Sequence, residues 1–299
     1  MYAGERAFLA GALPFIREGV AAGEPVLVVV GADKIELLRA HLDGEGERVR
    51  FADMAAVGAN PARIIPAWHD FVREHAAPGR PVRGIGEPIT ADRSAAALTE
   101  CHRHEALLNL AFARADGFRL LCPYDTEALD AGVLAEARRT HPFMLEHGAP
   151  RTSARYAGIA AAAAPFDDPL PEPPAQRDTL RFDADALPAV RALVLARAAA
   201  AGLDDARARD LVLGVHEIAS NSVRHGGGQG ALDVWADGDA LICQVRDEGL
   251  IDRPLAGRER PAAGQFGGYG LWLANHLCDL VQVRSGAAGT VVRLHMAIA

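Results

Sequence analysis

A proline-dense stretch near the middle of the chain constrains it most. From Pro165 to Pro174 the sequence reads PFDDPLPEPP, with five prolines in ten residues. Proline fixes φ, has no amide hydrogen and clashes with the preceding helical turn, so neither a helix nor an inner strand can run through it. At this density it stiffens a spacer. The run Ala160 to Ala164 just before it reads as a short helical extension. Residues 151–177 are therefore expected to be a linker between a domain at 1–150 and another at 178–299. A length of 299 residues suits two domains.

The two sides carry different patterns. In the first, residues 5–21 have helical apolar spacing, and PVLVVV (25–30) is a short continuous apolar run, the mark of a strand buried on both faces. Helices are expected at Lys34–Leu42, about 61–76, Ser94–Ala113 and Ala131–Arg139. Strands are expected near Val49–Phe51, Val82–Ile85 and 118–122. This alternation predicts an α/β domain with a mostly parallel sheet. In the second, a strand near Leu180–Phe182 precedes two helices, about 185–201 and 204–224. Strands 231–235 and 240–245 are joined by the turn-like Ala236-Asp237-Gly238-Asp239. A Gly-, Pro- and Arg-rich loop (248–268), a helix and strands 281–285 and 290–296 follow. Helices grouped before paired strands predict an α+β sandwich with an antiparallel or mixed sheet.

Lys34 is the only lysine, against 30 arginines. A P-loop needs a lysine after glycine, and Lys34 follows Asp33. A eukaryotic-type protein kinase needs a strand lysine, whereas VVVGADKIELL is a strand running into a helix, with Lys34 expected on its solvated face. Net charge is -8 and no basic run occurs, so direct nucleic-acid binding is not expected. The N-terminus lacks a signal-peptide layout, and no uncharged apolar stretch reaches the roughly 18 residues of a membrane span. The expected location is the cytoplasm, without a membrane. The scattered Cys101, Cys122, Cys243 and Cys278 are expected to be buried free thiols.

Three segments of the second domain have the chemistry of a nucleotide site. Glu217 and Asn221, four apart, share a helix face, with Arg224 nearby. A carboxylate and an amide side by side can hold water, Mg²⁺ and a phosphate oxygen. Strand 240–245 runs into Arg246-Asp247-Glu248-Gly249, where an aspartate can accept from an adenine amino group and a glycine lets the base lie against the backbone. Gly264, Gly267, Gly268 and Gly270 precede a helix, whose free N–H groups suit phosphate.

Taken together, HEIASNSVRHG, RDEG, GGYGLWLANHLCD and the closing Gly289-Thr290 resemble the N, G1 and G2 boxes and terminal threonine of the Bergerat-fold ATPases. The closest branch is the anti-sigma-factor serine kinases of bacteria, and the likeness covers about 178–299. It implies ATP and Mg²⁺ as cofactors, Glu217 as general base or water-polarising carboxylate, and Asn221 as Mg²⁺ ligand. It places Asp247 on the adenine amino group with Gly249 beside the base, Gly268, Gly270 and Leu271 along the triphosphate under a lid at roughly 250–268, and Thr290 in the adenine water network. Many relatives carry arginine between the glycines of G-x-G-L; this chain has Tyr269, with Arg224, Arg253, Arg258 or Arg260 as substitutes. The implied partners are an anti-anti-sigma (STAS-type) protein phosphorylated on serine, a sigma factor, or both, with a homodimer as the assembly. FLAGALPFIREGVAAGEPVLVVV, RGIGEPI, CHRHEALLNLAF and GFRLLCPYD of the first domain resemble the MEDS sensory domain, which implies an unidentified small-molecule ligand.

Two other functions compete. His104-Glu105 resembles the phospho-acceptor of a sensor histidine kinase, although a proline spacer stands where a dimerisation hairpin should lead into the ATPase domain. The second is a non-catalytic, ATP-dependent sigma-binding module. Cys101-x-x-His104 offers two metal ligands without a matching pair, and Cys101, His102 and His104 otherwise read as sensor-core residues. His216 and His225 read as packing or lining residues.

Overall fold

The computed structural model describes residues 1–75, 77, 80–115, 117–146, 149–159, 168–261 and 268–298. The run Ala160 to Ala164, Pro165, and the loop glycines Gly264 and Gly267 lie outside the described residues. The chain forms two compact units, Met1–Ala164 and Pro165–Ala299.

In the first unit, β1 (Val26–Val30), β2 (Val49–Asp53), β3 (Val82–Gly86) and β4 (Phe118–Leu121) form a parallel sheet in the order β2-β1-β3-β4. β1 pairs on both sides, Val28 facing Phe51 and Ile85, and all five of its residues are buried, as its unbroken apolar run predicts. Helices α1 (Gly4–Ala21) and α2 (Ala32–Leu42) put Ile16 and Leu38 onto Val28 and Ile85. A four-residue α3 (Met54–Val57) leads to α4 (Ile64–His75), whose Trp68 lies against the other face at Gly84 and Gly86 of β3. Helices α5 (Ala95–Ala111) and α6 (Ala131–Thr140) complete the cover. The hairpin β5 (Phe143–Glu146) and β6 (Ala149–Thr152) was not expected; its last residues, Arg151 and Thr152, fall in the stretch read as linker.

Lys34 departs from expectation. It is not on a solvated face: its Nζ donates to Glu87 Oε2 and to Tyr2 Oη, both at 2.6 Å. Tyr2 Oη donates in turn to Glu87 Oε1 at 2.6 Å, and Glu87 is 2 % exposed. A buried carboxylate needs a cation within reach. The ammonium also lies 5.2 Å from the Tyr2 ring centre and 5.3 Å from that of Phe8. A point charge with rotatable N–H groups fits this slot, whereas a planar guanidinium needs a wider one.

In the second unit, β7 (Asp178–Phe182), β8 (Gly230–Asp237), β9 (Ala240–Asp247), β10 (Leu280–Gly286) and β11 (Gly289–Ala297) form a fully antiparallel sheet, β10-β11-β9-β8-β7. The β8–β9 strands run on to Asp237 and Ala240, so the turn is only Gly238-Asp239. Helices α7 (Leu187–Ala201), α8 (Asp205–His225) and α9 (Tyr269–Leu277) cover one face. Strand alternation sends Leu232, Cys243, Leu294 and Met296 into that core, where Val194, Leu211 and Val215 meet them. The opposite face is polar. Buried Asp233 accepts from Thr179 (2.7 Å), Arg177 (3.1 Å) and Arg246 (2.9 Å). Arg293 donates to Gln244 Oε1 and to the Pro171 carbonyl, and Arg284 to the Asp168 carbonyl. Part of the proline-rich stretch thus belongs to this unit. Proline presents only a carbonyl to be satisfied, and the face arginines supply the donors.

Two stability tests follow. Lys34→Ala is expected to cost about 3 kcal/mol by leaving Glu87 buried and unpaired, and adding Glu87→Gln to recover part of it, read by urea unfolding. His295 donates from Nε2 to Gln282 Oε1 at 3.1 Å. Burial, reinforced by Arg293, holds its imidazole down to about 4. Unfolded histidine titrates near 6.5. Between these values the unfolded chain takes up a proton that the folded chain refuses, so stability falls as pH drops, by roughly 2 kcal/mol at about pH 5. His295→Gln is expected to flatten that part of the stability-against-pH curve, and an unchanged slope refutes the assignment.

Candidate functional site

The site grows out of the second core. Along α8 the buried stripe Ala208, Leu211, Val215 and Ile218 continues into Asn221, Ser222 and His225. Along β9 the inward residues Leu241, Cys243 and Val245 are followed by Asp247 at the strand end. In register beside it on β11 stands Thr290, itself paired with Ser285 of β10. Helix periodicity and strand alternation therefore deliver polar side chains to one end of the apolar interior. There a cavity of about 400 Å³ is lined by Asn221, Asp247, Gly249, Gly268, Leu271 and Thr290, together with loop residues on from Leu250.

Asp247 is fixed from two sides. Ser222 Oγ donates to Oδ2 at 2.6 Å, and the Gly249 amide donates to Oδ1 at 2.8 Å. A Cβ on Gly226 would lie 2.5 Å from Asp247 Cγ, so only glycine lets the end of α8 pass this carboxylate. A Cβ on Gly249 would meet the His225 carbonyl oxygen at 2.8 Å and Asp247 Oδ1 at 2.9 Å, so the turn packs on the aspartate it caps. Thr290 Oγ1 donates to the Gly249 carbonyl at 2.8 Å and shares a 2.7 Å hydrogen bond with Ser285 Oγ. Ser285 accepts from the Ile251 amide at 2.8 Å, which anchors the start of the loop.

Helix α9 closes the other side. Gly268, at φ 87°, precedes its first turn and offers no capping side chain, so the first N–H groups are open to an anion. Gly270 lies against α8: a Cβ there would come within 2.6 Å of Asn221 Nδ2 and 3.3 Å of Glu217 Oε2. That approach gathers Gly270, Asn221 and Glu217, although Glu217 is not itself in the cavity lining. Asn275 Nδ2 donates to the Gly257 carbonyl at 3.0 Å and ties the loop to α9. Asn221 and Glu217, one amide and one carboxylate, suit Mg²⁺, which takes few protein ligands and keeps phosphates and water for the rest.

Arg224 is exposed and stands outside the lining. Three residues from Asn221 it sits about 60° further around the helix. Of the loop arginines, Arg253 lines the cavity, Arg258 is buried, and Arg260 lies over the Trp272 ring at 5.7 Å. His225 lines the cavity, whereas His216 faces Arg191 on α7 at 3.4 Å. Burial, then Arg191, lowers the His216 imidazole from its ordinary value. Ser222, Gly226, Ser285 and Asn275 were not anticipated. For Ser222 and Ser285 the available signal was parity: each sits on the inward face of its element, where apolar residues precede it.

Residues 1–142 match the MEDS family, the methanogen/methylotroph, DcmR sensory domain. Residues 180–296 match the histidine kinase-like ATPase domain family. No curated protein matches the chain. Among solved structures it is similar to the RsbU and RsbW domains of a Mycobacterium tuberculosis protein, at 23 % identity and a TM-score of 0.32. That match covers 42 % of this chain and 33 % of the other, so it spans about a third of that protein's length. Among the described residues no helix is long and apolar enough to cross a membrane. The chain thus carries a MEDS domain followed by a histidine kinase-like ATPase domain, and ATP is the ligand such a domain implies.

Proposed function

We propose that this chain is an anti-sigma-factor-type protein serine kinase that uses Mg-ATP and is regulated through its first domain. The observation that carries the reading is the cavity at the polar end of the second core, where α8, β9, β11 and α9 meet. In this reading Asp247, held in place by Ser222 and the Gly249 amide, accepts from the adenine amino group. Gly249 backs the base, and the Thr290 hydroxyl joins the water network beside it. Gly268, Gly270, Leu271 and the open start of α9 receive the triphosphate, and Arg253 supplies the cation that Tyr269 does not. Asn221 would hold Mg²⁺, which when bound would supply neutralisation of phosphate charge. Glu217 takes the proton of the attacking serine hydroxyl, and the rest of the catalysis is positioning and electrostatics.

The acceptor is a serine on an anti-anti-sigma (STAS-type) partner, and the same surface can hold a sigma factor. A small molecule on the first domain, and dimerisation, set the activity. The histidine-kinase alternative is disfavoured because His104 is 1 % exposed within the first unit.

Mixing the protein with labelled ATP and its partner is expected to give acid-stable phosphoserine on the partner. Glu217→Ala is expected to slow transfer by about 100-fold or more with nucleotide binding retained; unchanged transfer removes Glu217 from the chemistry. Tight ATP binding without transfer to any partner would instead favour the non-catalytic module. Gly270→Ala pushes a methyl group onto Asn221 and is expected to weaken ATP binding roughly 10-fold by calorimetry. Full affinity in that variant would show that this end of α9 does not approach the nucleotide.

A further inference from the structure

We propose that Glu105, Cys122 and His141 of the first unit bind a divalent transition metal of the zinc class, with a coordination position open to the neighbouring cavity. Their ligand atoms lie within 4.8 Å of one another, the one such group among the described residues. The three come from separate elements: Glu105 from α5, Cys122 from just beyond β4, and His141 from just beyond α6. Cys122 therefore stands at the carboxyl end of a parallel strand, where open α/β sheets place their ligands.

The three donors converge in a way that suits a cation. His141 Nδ1 lies 2.8 Å from the Ala137 carbonyl, which can only accept, so Nδ1 carries the proton. Nε2 faces Glu105 Oε2 at 3.1 Å, where a protonated ring makes an ion pair and a deprotonated one would offer its lone pair to a metal. The Glu105 side chain is 1 % exposed, and its partners are the His141 imidazole, at 3.1 Å, and the Cys122 thiol. A carboxylate, an imidazole lone pair and a thiol converging in this way are the donors Zn²⁺ takes. An Nδ1–H bonded to a backbone carbonyl is the outer partner that metal-bound histidines usually have. Donors sharing one Zn²⁺ stand roughly 3.3–3.8 Å apart, so side-chain shifts of about an ångström close the set.

The surroundings hold these groups in place. The Tyr124 ring meets His141 edge-on at 5.5 Å, and Asn109 Nδ2 donates to the Thr140 carbonyl at 2.8 Å, joining α5 to the end of α6. All three residues line a cavity of about 810 Å³, walled by Phe15, Leu108, Phe112, Leu120 and Met144 among others. Three protein ligands beside an open cavity leave the fourth position to water or to a ligand donor atom, as in open zinc sites. On binding, the Cys122 thiol releases its proton to solvent and a sulfur–metal bond forms. The pair Cys101 and His104 is not part of this group.

The full chain, stripped with a chelator and titrated with Co²⁺, is expected to take up about one equivalent, with a thiolate-to-metal charge-transfer band and intense tetrahedral visible bands that Zn²⁺ abolishes. Cys122→Ser is expected to remove the charge-transfer band and weaken binding more than about 100-fold. His141→Gln is expected to weaken it similarly, with the band retained at saturating metal. Far-ultraviolet circular dichroism reports whether each variant folds. Should neither fold, the unmodified chain still decides: Zn²⁺ is expected to raise its unfolding midpoint. No Co²⁺ uptake by the folded chain, uptake indifferent to both substitutions, or a midpoint that Zn²⁺ leaves unmoved overturns the proposal and leaves Glu105 and His141 as an ion pair.

Discussion

The pairing of β9 with β11 sets Thr290 opposite Asp247, and the arrangement of the second unit's site depends on that register. A shift of one residue would reverse every side chain of β11, moving Leu294 and Met296 out of the core and Thr290 with them. Burial of that core therefore fixes the position of the polar groups at its end. Asp247, Thr290 and Ser285 occupy the same sheet face as Cys243, Val292 and Val283. Helix α8 behaves alike, its apolar stripe turning polar at Asn221 and Ser222. The site is the unfilled end of the interior, where hydrogen bonds among Ser222, Asp247, Gly249, Thr290 and Ser285 continue the order that the apolar core imposes.

Buried charge is handled in the same way in both units. Glu87 is satisfied by Lys34 and Tyr2, and Asp233 by Arg177, Arg246 and Thr179. Each carboxylate that leaves water collects several donors, because an unpaired buried charge costs several kcal/mol. Glu105 differs in its partners, which are not an arginine or a lysine but the His141 imidazole and the Cys122 thiol. In an arginine-rich chain one lysine stands where its ammonium meets two acceptors, Tyr2 Oη and Glu87 Oε2, and lies beside two rings. The arginines meanwhile serve where a fork can span two groups, as Arg293 spans Gln244 and the Pro171 carbonyl.

Much of the fold was legible because burial imposes periodicity. Val26–Val30, the helix at Asp205–His225 and the strands that follow it were visible as apolar runs, stripes and alternations. Asn221, Asp247, Gly249, Gly268 and Thr290 stood out as residues of the right chemistry in the right order. Lys34 was misread because its partners Tyr2 and Glu87 are 32 and 53 residues away, beyond any local pattern. The hairpin of β5 and β6 was missed because its short strands, with Pro150 among them, carry little alternation.

By itself the sequence determined a division into two parts, the mostly parallel character of the first sheet and the paired strands of the second, and it marked the short segments expected to carry nucleotide-type chemistry, since all of these follow from local spacing and backbone restriction. Tertiary structure alone decided which groups meet. It put Gly226 under Asp247, Gly270 against Asn221, and Arg253 instead of Arg224 at the cavity. It also gathered Glu105, Cys122 and His141 from three elements. These contacts arise where helices and strands cross, and crossing geometry is set by the packing of whole faces, which no window along the chain contains.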